Sequence, residues 1–122
     1  MEQNGKTQWY IADAYIPPES SGGLTSHESI CVLNTHAEDA RLNISVYFED
    51  RAPMENIIQI VPGQRTKHIR TGSLQAGGES IPKDVPYALA VTSDIPVVVQ
   101  YSRLDATQSE NALMTTIAYA SM

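Results

Sequence analysis

Three consecutive residues, Ser26-His27-Glu28, set a hydroxyl, an imidazole and a carboxylate side by side, the groups of a nucleophilic triad. Their spacing defeats that reading. Successive residues of an extended chain point to opposite faces, whereas a triad needs each pair within hydrogen-bond reach. His27 and Cys31 fail for a related reason: four strand residues span roughly 13 Å, too far for a thiolate–imidazole pair or for two ligands of one zinc. The three histidines and single cysteine show no Cys-x-x-Cys, His-x-His or His-Glu-x-x-His spacing, and Gly22-Gly23 and Gly77-Gly78 lack the patterns that cradle phosphates. Neither a metal nor a cofactor is expected. Cys31, inside Ile30-Cys31-Val32-Leu33, reads as a small buried hydrophobe.

The polar groups suit binding better than catalysis. His27, Glu28, Asn34, Gln100 and Arg103, brought together from different strands with an aromatic wall from Trp9 or Tyr15, would make a pocket for a carbohydrate or another small polar ligand. Planar amides, carboxylates and arginine offer paired hydrogen bonds, and an aromatic face covers C–H surface. The same residues have structural uses. Trp9 suits a core, and Arg103 with Asp105, same-face neighbours on a strand, can ion-pair at a subunit interface. Glu28 and Arg103 fit the pocket and the structural reading equally. If Arg103 belongs to a pocket, Arg103→Ala weakens ligand binding and leaves the fold intact.

The stretch that must position these groups is Ile95 to Asp105. Val97, Val99, Tyr101, Arg103 and Asp105 share one face and Val98, Gln100, Ser102 and Leu104 the other, so Arg103 and Gln100 cannot enter the same pocket without a bulge. Both faces start apolar and end polar, the pattern of a strand leaving a packed interior. Pro96 marks its start, where a missing N–H is tolerated.

Other strand signals recur with Gly and Pro between them. Thr7 to Tyr15 reads as a first strand ending at Pro17-Pro18, followed by a surface loop from Pro17 to Thr25 that could border a ligand. Ser29 to Asn34 reads as an inner strand. Ala40 to Asp50 alternates most cleanly, with Ala40, Leu42, Ile44, Val46 and Phe48 facing in. Asn56 to Val61 is a short strand with Ile58 and Ile60 on one face. The Pro62-Gly63 turn should return Gln64 to Thr71 beside it as a hairpin partner. Thr71 to Pro86 reads as an irregular surface excursion. Tyr87 to Ser93 and Ile95 to Leu104 read as strands separated by a tight turn at Ser93-Asp94, and Asn111 to Ser121 as the last strand, with a helical turn as the alternative over Ala106 to Met114. About eight strands without a helix-sized crossover give an all-β, antiparallel two-sheet sandwich or jelly-roll.

With 122 residues, 42% hydrophobic and 18% charged, the chain fits a single globular domain over residues 1–122. One cysteine excludes an intrachain disulfide. The N-terminus has no basic segment followed by an apolar core, and no apolar run approaches a membrane span, so a cytoplasmic location is expected. The net charge of -6 opposes non-specific binding to nucleic acid. Arg65, Lys67, His68 and Arg70 cluster, but a strand divides them between faces, as on a solvated edge guarded against pairing.

Certain segments occur together in order: Trp9, Ala14-Tyr15-Ile16-Pro17-Pro18, Ser26-His27-Glu28 leading to Leu33-Asn34-Thr35, Arg65-Thr66-Lys67-His68 and Ile81-Pro82. Ile95-Pro96-Val97-Val98-Val99-Gln100 with Arg103-Leu104-Asp105, and Glu110-Asn111-Ala112-Leu113 with Thr116-Ile117-Ala118-Tyr119, complete the series. In these the chain resembles the family of small soluble proteins typified by the cyanobacterial sensory rhodopsin transducer. The resemblance implies a β-sandwich assembled as a homotetramer, a signalling or small-molecule-binding module without catalytic activity, whose input is a carbohydrate-like ligand or, by family resemblance alone, a membrane photoreceptor. Two rivals remain open. A DNA-associated regulator needs Arg65, Lys67 and Arg70 gathered into one surface, and a jelly-roll enzyme needs a metal or a carboxylate pair in its pocket.

Overall fold

The computed structural model describes residues 5–18, 25–106 and 112–121. Its spine is β8 (Tyr87–Asp105), a strand of 19 residues. Tyr87, Leu89, Val91, Ser93, Val97, Val99 and Tyr101 are buried, so one face of this strand looks inward through most of its length. Its first half lies between β1 (Lys6–Ala14) and β3 (Ala40–Phe48), with Tyr10 opposite Ala90 and Ile44 opposite Val91. Its second half lies between β2 (His27–Asn34) and β9 (Ala112–Ile117), with Val32 opposite Val99 and Ser102 opposite Thr115. Two antiparallel sheets thus share one strand. The first runs β10 (Tyr119–Ala120), β1, β8, β3, β4 (Met54–Val61); the second runs β5 (Arg65–Arg70), β2, β8, β9. Trp9, Ile11, Leu42, Ile44, Leu89 and Val91 from the first pack with Ile30, Val32, Ile69, Val97 and Val99 from the second in one core. The antiparallel two-sheet sandwich expected from the sequence is present, with ten strands among the described residues.

The expected tight turn at Ser93-Asp94 is not formed. Ser93 still stands in register with Leu42, and the Asp94 carboxylate accepts the Arg41 backbone N–H at 2.8 Å, so the strand runs on through both residues. Ile95 and Pro96 lie between the two sets of partners, where the missing N–H of proline costs no ladder bond.

A second correction concerns β5, which pairs with β2 from Arg65–Asn34 to Arg70–Ser29 rather than with β4. The reason lies at the corner. Asn34 is fully buried, and its Nδ2 donates to Glu38 O at 2.8 Å and Val61 O at 3.1 Å while Oδ1 accepts from His36 N at 3.0 Å. Gly63 N–H donates to Asp39 Oδ1 and Gln64 N–H to His36 O. A Cβ on Gly63 would stand 2.0 Å from Ala37 O, so only glycine permits this approach. The chain is drawn against the loop after β2 and crosses to the other sheet. β5 ends up as an edge strand carrying Arg65, Lys67, His68 and Arg70.

Smaller departures have local causes. A register shift between Ile11 and Ala14 turns Asp13 outward and Ala14 inward. In β4, Ile57 and Val61 are buried while Ile58 and Ile60 share the exposed face, after a shift at Asn56, whose φ is 60°. Strand β2 is an inner strand by pairing, but Leu33 is exposed and Cys31 is half-buried, not a fully buried hydrophobe. The Thr71 to Pro86 excursion holds a 3-10 turn at Thr71–Ser73 and a hairpin of β6 (Gln75–Ala76) and β7 (Glu79–Ser80), whose Gly77-Gly78 turn has φ of 60° and 83°. The last strand is divided at Ala118, whose N–H reaches Val99 O at 3.1 Å, so β9 joins one sheet and β10 the other. The helical alternative over Ala106 to Met114 falls partly on residues 107–111, outside the described residues; from Ala112 the chain is extended.

Candidate functional site

Glu28 faces inward on β2 with Ile30 and Val32, at the end of the sandwich where the apolar core stops. It is 1% exposed, and a buried carboxylate survives only with its charge balanced and its lone pairs filled. Both conditions are met. Tyr15 N–H donates to Oε1 and Oε2 at 3.1 and 3.0 Å, the Tyr87 hydroxyl donates to Oε1, and Arg103 Nε donates to Oε2 at 2.6 Å. Glu28 and Arg103 are direct cross-strand partners. Since the Tyr87 proton is given to Glu28, its oxygen accepts from Thr71 Oγ1, 2.8 Å away, and Arg103 Nη2 donates to the Tyr101 hydroxyl at 3.2 Å.

One buried carboxylate therefore ties together both halves of β8, through Tyr87 and Arg103, and the segment after β1. Burial, then the hydrogen bond to Glu28, pushes the Tyr87 phenol far above its ordinary range, and Tyr101 is raised by burial and then by Glu28 in the same way. Burial works against the Arg103 charge, but Tyr101 and Glu28 outweigh it and hold the guanidinium above its usual value. At the margin, the exposed Tyr15 hydroxyl donates to Asp84, which raises that phenol too.

A cleft of about 430 Å³ opens beside this cluster, within the roughly 300–1,000 Å³ of small-molecule sites. Glu28 and His27 line it from β2, Arg70 from the end of β5, and Ser73, Ser80 and Lys83 from the excursion. Ile16 and Ile81, both buried, form its apolar wall.

Of the residues selected from sequence, the structure brings Tyr15, His27, Glu28 and Arg103 to this end of the molecule. It places the other three elsewhere. Trp9 is 5% exposed, and its indole N–H donates to Lys6 O and Val97 O at 3.0 and 3.1 Å, so it is a core residue and not an aromatic wall. Asn34 holds the β4–β5 corner. Gln100 is exposed on the outer face, opposite Cys31 and Ile117. Arg103 takes Glu28, across the strand, as its ion-pair partner. Sequence reasoning missed Thr71, Tyr87, Arg70 and Lys83. Tyr87 shares its parity with Leu89 and Val91, a signal for an inward side chain; the others lie in or beside the excursion, where no periodicity reports position.

The arrangement brings His27, Arg70, Ser73 and Lys83 to the cleft. Ser26 Oγ accepts the Ala106 N–H at 2.8 Å, His27 Nδ1 lies 3.0 Å from the Thr25 carbonyl oxygen, and Glu28 serves Tyr15, Tyr87 and Arg103, so the three neighbours have separate partners. Among the described residues no three His, Cys, Asp or Glu side chains gather as metal ligands. The basic residues of β5 diverge: Arg65 Nη1 donates to Gln64 O at 3.0 Å, Lys67 reaches Gln59 Oε1 at 3.1 Å and Ile60 O, and Arg70 lines the cleft.

Fold and site together define a small antiparallel β-sandwich with a strand common to both sheets and a charge-clamped cleft at one end. The chain belongs to the Anabaena sensory rhodopsin transducer family, whose sequence model matches residues 4–120. It is similar to the crystal structure of Thermotoga maritima 1070, with 39% identity and a TM-score of 0.87 over 98% of this chain and 97% of that one. It is also similar to the Anabaena sensory rhodopsin transducer itself, with 40% identity and a TM-score of 0.76 over 89% of this chain and 96% of that one. No curated protein matches it. Family membership makes this chain a signalling-related module. Among the described residues no helix is long and apolar enough to cross a membrane.

Proposed function

We propose that the protein is a non-enzymatic cytoplasmic signalling module that binds a small polar ligand, carbohydrate-like in character, in the cleft beside Glu28 and transmits occupancy by protein contact as a homotetramer. The observation that carries this reading is the double use of Glu28: it lines the cleft and clamps both halves of β8. The second half of β8 pairs with β9, where Leu113 is 78% and Ile117 61% exposed. A ligand that shifts Glu28 or Arg103 would act on the strand that carries this apolar edge. Large exposed apolar side chains on an edge strand are what a subunit contact covers.

A membrane photoreceptor is a second reading, favoured by membership of a family named for a sensory rhodopsin transducer. The test is a thermal-shift screen of mono- and disaccharides combined with light scattering. A saturable rise in melting temperature and the mass of four 13.4 kDa chains support the proposal. A monomer at micromolar concentration that no sugar stabilises rejects it.

A further inference from the structure

The charges around the cleft point to a narrower ligand class than small and polar. Glu28 is the lining carboxylate, and its charge is spent inside the protein: Arg103 neutralises it and the Tyr15 and Tyr87 donors fill its oxygens. Among the described lining residues the other formal charges are both cations, Arg70 and Lys83. Among the described residues neither has a carboxylate within ion-pair distance, whereas Arg51 and Arg103 do. Both are exposed, one on β5 and one in the excursion, so they face the cleft from two separate elements.

This is unusual for the chain, which carries 14 acidic against 8 basic residues. His27 also lines the cleft and adds no negative charge; its Nδ1 lies 3.0 Å from the Thr25 carbonyl oxygen. The apolar side chains of Ile16 and Ile81 line the same cleft. A cationic rim over an apolar wall fits a molecule with a C–H-rich body and an oxyanion at one end, held by charge-assisted hydrogen bonds from guanidinium and ammonium.

We infer that the cleft binds an anionic small metabolite, with Arg70 and Lys83 receiving its phosphate or carboxylate group. The inference rests on the cleft being the ligand site, and it adds the sign of the ligand's charge and the two residues that read it. Because both side chains are exposed, neutralising them leaves the packed core and the Glu28 cluster untouched.

The test is amide NMR of the full chain titrated separately with inorganic phosphate, acetate, glucose and glucose 6-phosphate. The expected result is saturable shifts at Ile16, Arg70, Ile81 and Lys83 with at least one of the two oxyanions. Glucose 6-phosphate should bind at least about tenfold more tightly than glucose, and the Arg70→Gln/Lys83→Gln double variant should lose at least about tenfold in affinity, whereas Arg65→Gln should lose none. Phosphate without acetate assigns the site to phosphoryl groups, and both together assign it to oxyanions generally. Equal binding of glucose and its phosphate overturns the inference while leaving a sugar-binding cleft standing. Anion shifts without any from glucose support the inference and remove the neutral-sugar reading. Absence of anion shifts at the cleft, or shifts of equal size in the double variant, overturns it.

Discussion

At the scale of single residues, the account turns on Glu28 and Arg103. From sequence alone each fits a pocket and a structural role equally, with Asp105 as the expected partner of Arg103; in the fold Glu28 does both, lining the cleft and pairing with Arg103. This changes the expected behaviour of Arg103→Ala. Rather than leaving the fold intact, removal of the guanidinium strands a carboxylate that is 1% exposed, at a cost on the order of 3 kcal/mol, toward the low end because Arg103 itself is partly solvated. Denaturant melts of Arg103→Ala, Glu28→Gln and the double variant should give a coupling on the order of 2 kcal/mol. Additive costs would show that the pair is incidental.

The tyrosines of the same cluster make a pH prediction. The folded pKa values of Tyr87 and Tyr101 lie above the ordinary phenol value, so their stabilisation is fully present below about pH 10 and declines above it, as the unfolded chain ionises first. Phenolate absorbance measured while the protein is still folded should therefore be unchanged in amplitude by Tyr87→Phe. A loss of one phenol's amplitude before unfolding would place Tyr87 in water.

At the scale of elements, the two decisive features are a strand that serves both sheets and a corner that denies β4 and β5 a hairpin. The Asn34 amide holds that corner by bonding three backbone groups, two in the loop after β2 and one at the end of β4, from a fully buried position. Asn34→Ala leaves the Val61 and Glu38 carbonyls without this donor and should cost about 1–3 kcal/mol, read as a lower denaturation midpoint. A cost within error of zero would mean the corner is held by Gly63 and Gln64 alone.

These features also mark what the sequence made legible. The alternation of Ala40 to Phe48 reported both a strand and its buried face, because one side meets the core and the other does not. That Val97, Val99 and Tyr101 share a face was equally visible, but Val98 on the other face left open which one looks inward. Ser93-Asp94 misled because the Asp94 carboxylate, which could have stabilised a turn, accepts an N–H of the neighbouring strand instead. The partner of β5 was hidden because residues 24 to 28 positions upstream of the corner decide it, through hydrogen bonds that leave no local pattern. The cleft was half legible for the same reason. Its strand residues follow a period of two, whereas Lys83 and Ser73 belong to a segment rich in glycine and proline.

At the scale of the whole molecule, the cleft and the exposed apolar edge are joined by β8. The β9 edge carries Leu113 and Ile117, and Tyr119 of β10 is 71% exposed beside it. If this edge is the subunit contact, Leu113→Glu/Ile117→Lys should lower the mass seen by light scattering below that of the wild-type assembly while leaving the circular dichroism spectrum unchanged. An unchanged mass would move the contact elsewhere.

The central claim is that the cleft binds a small molecule and that β8 carries its occupancy to β9. Methyl NMR of the wild-type protein, titrated with mono- and disaccharides and phosphorylated sugars, tests it most directly. The account predicts that at least one of these shifts the Ile16 and Ile81 methyls to saturation and shifts the Leu113 and Ile117 methyls with the same midpoint. Saturation at Ile16 and Ile81 with the β9 methyls unmoved, or no cleft response to any of the sugars, would contradict it.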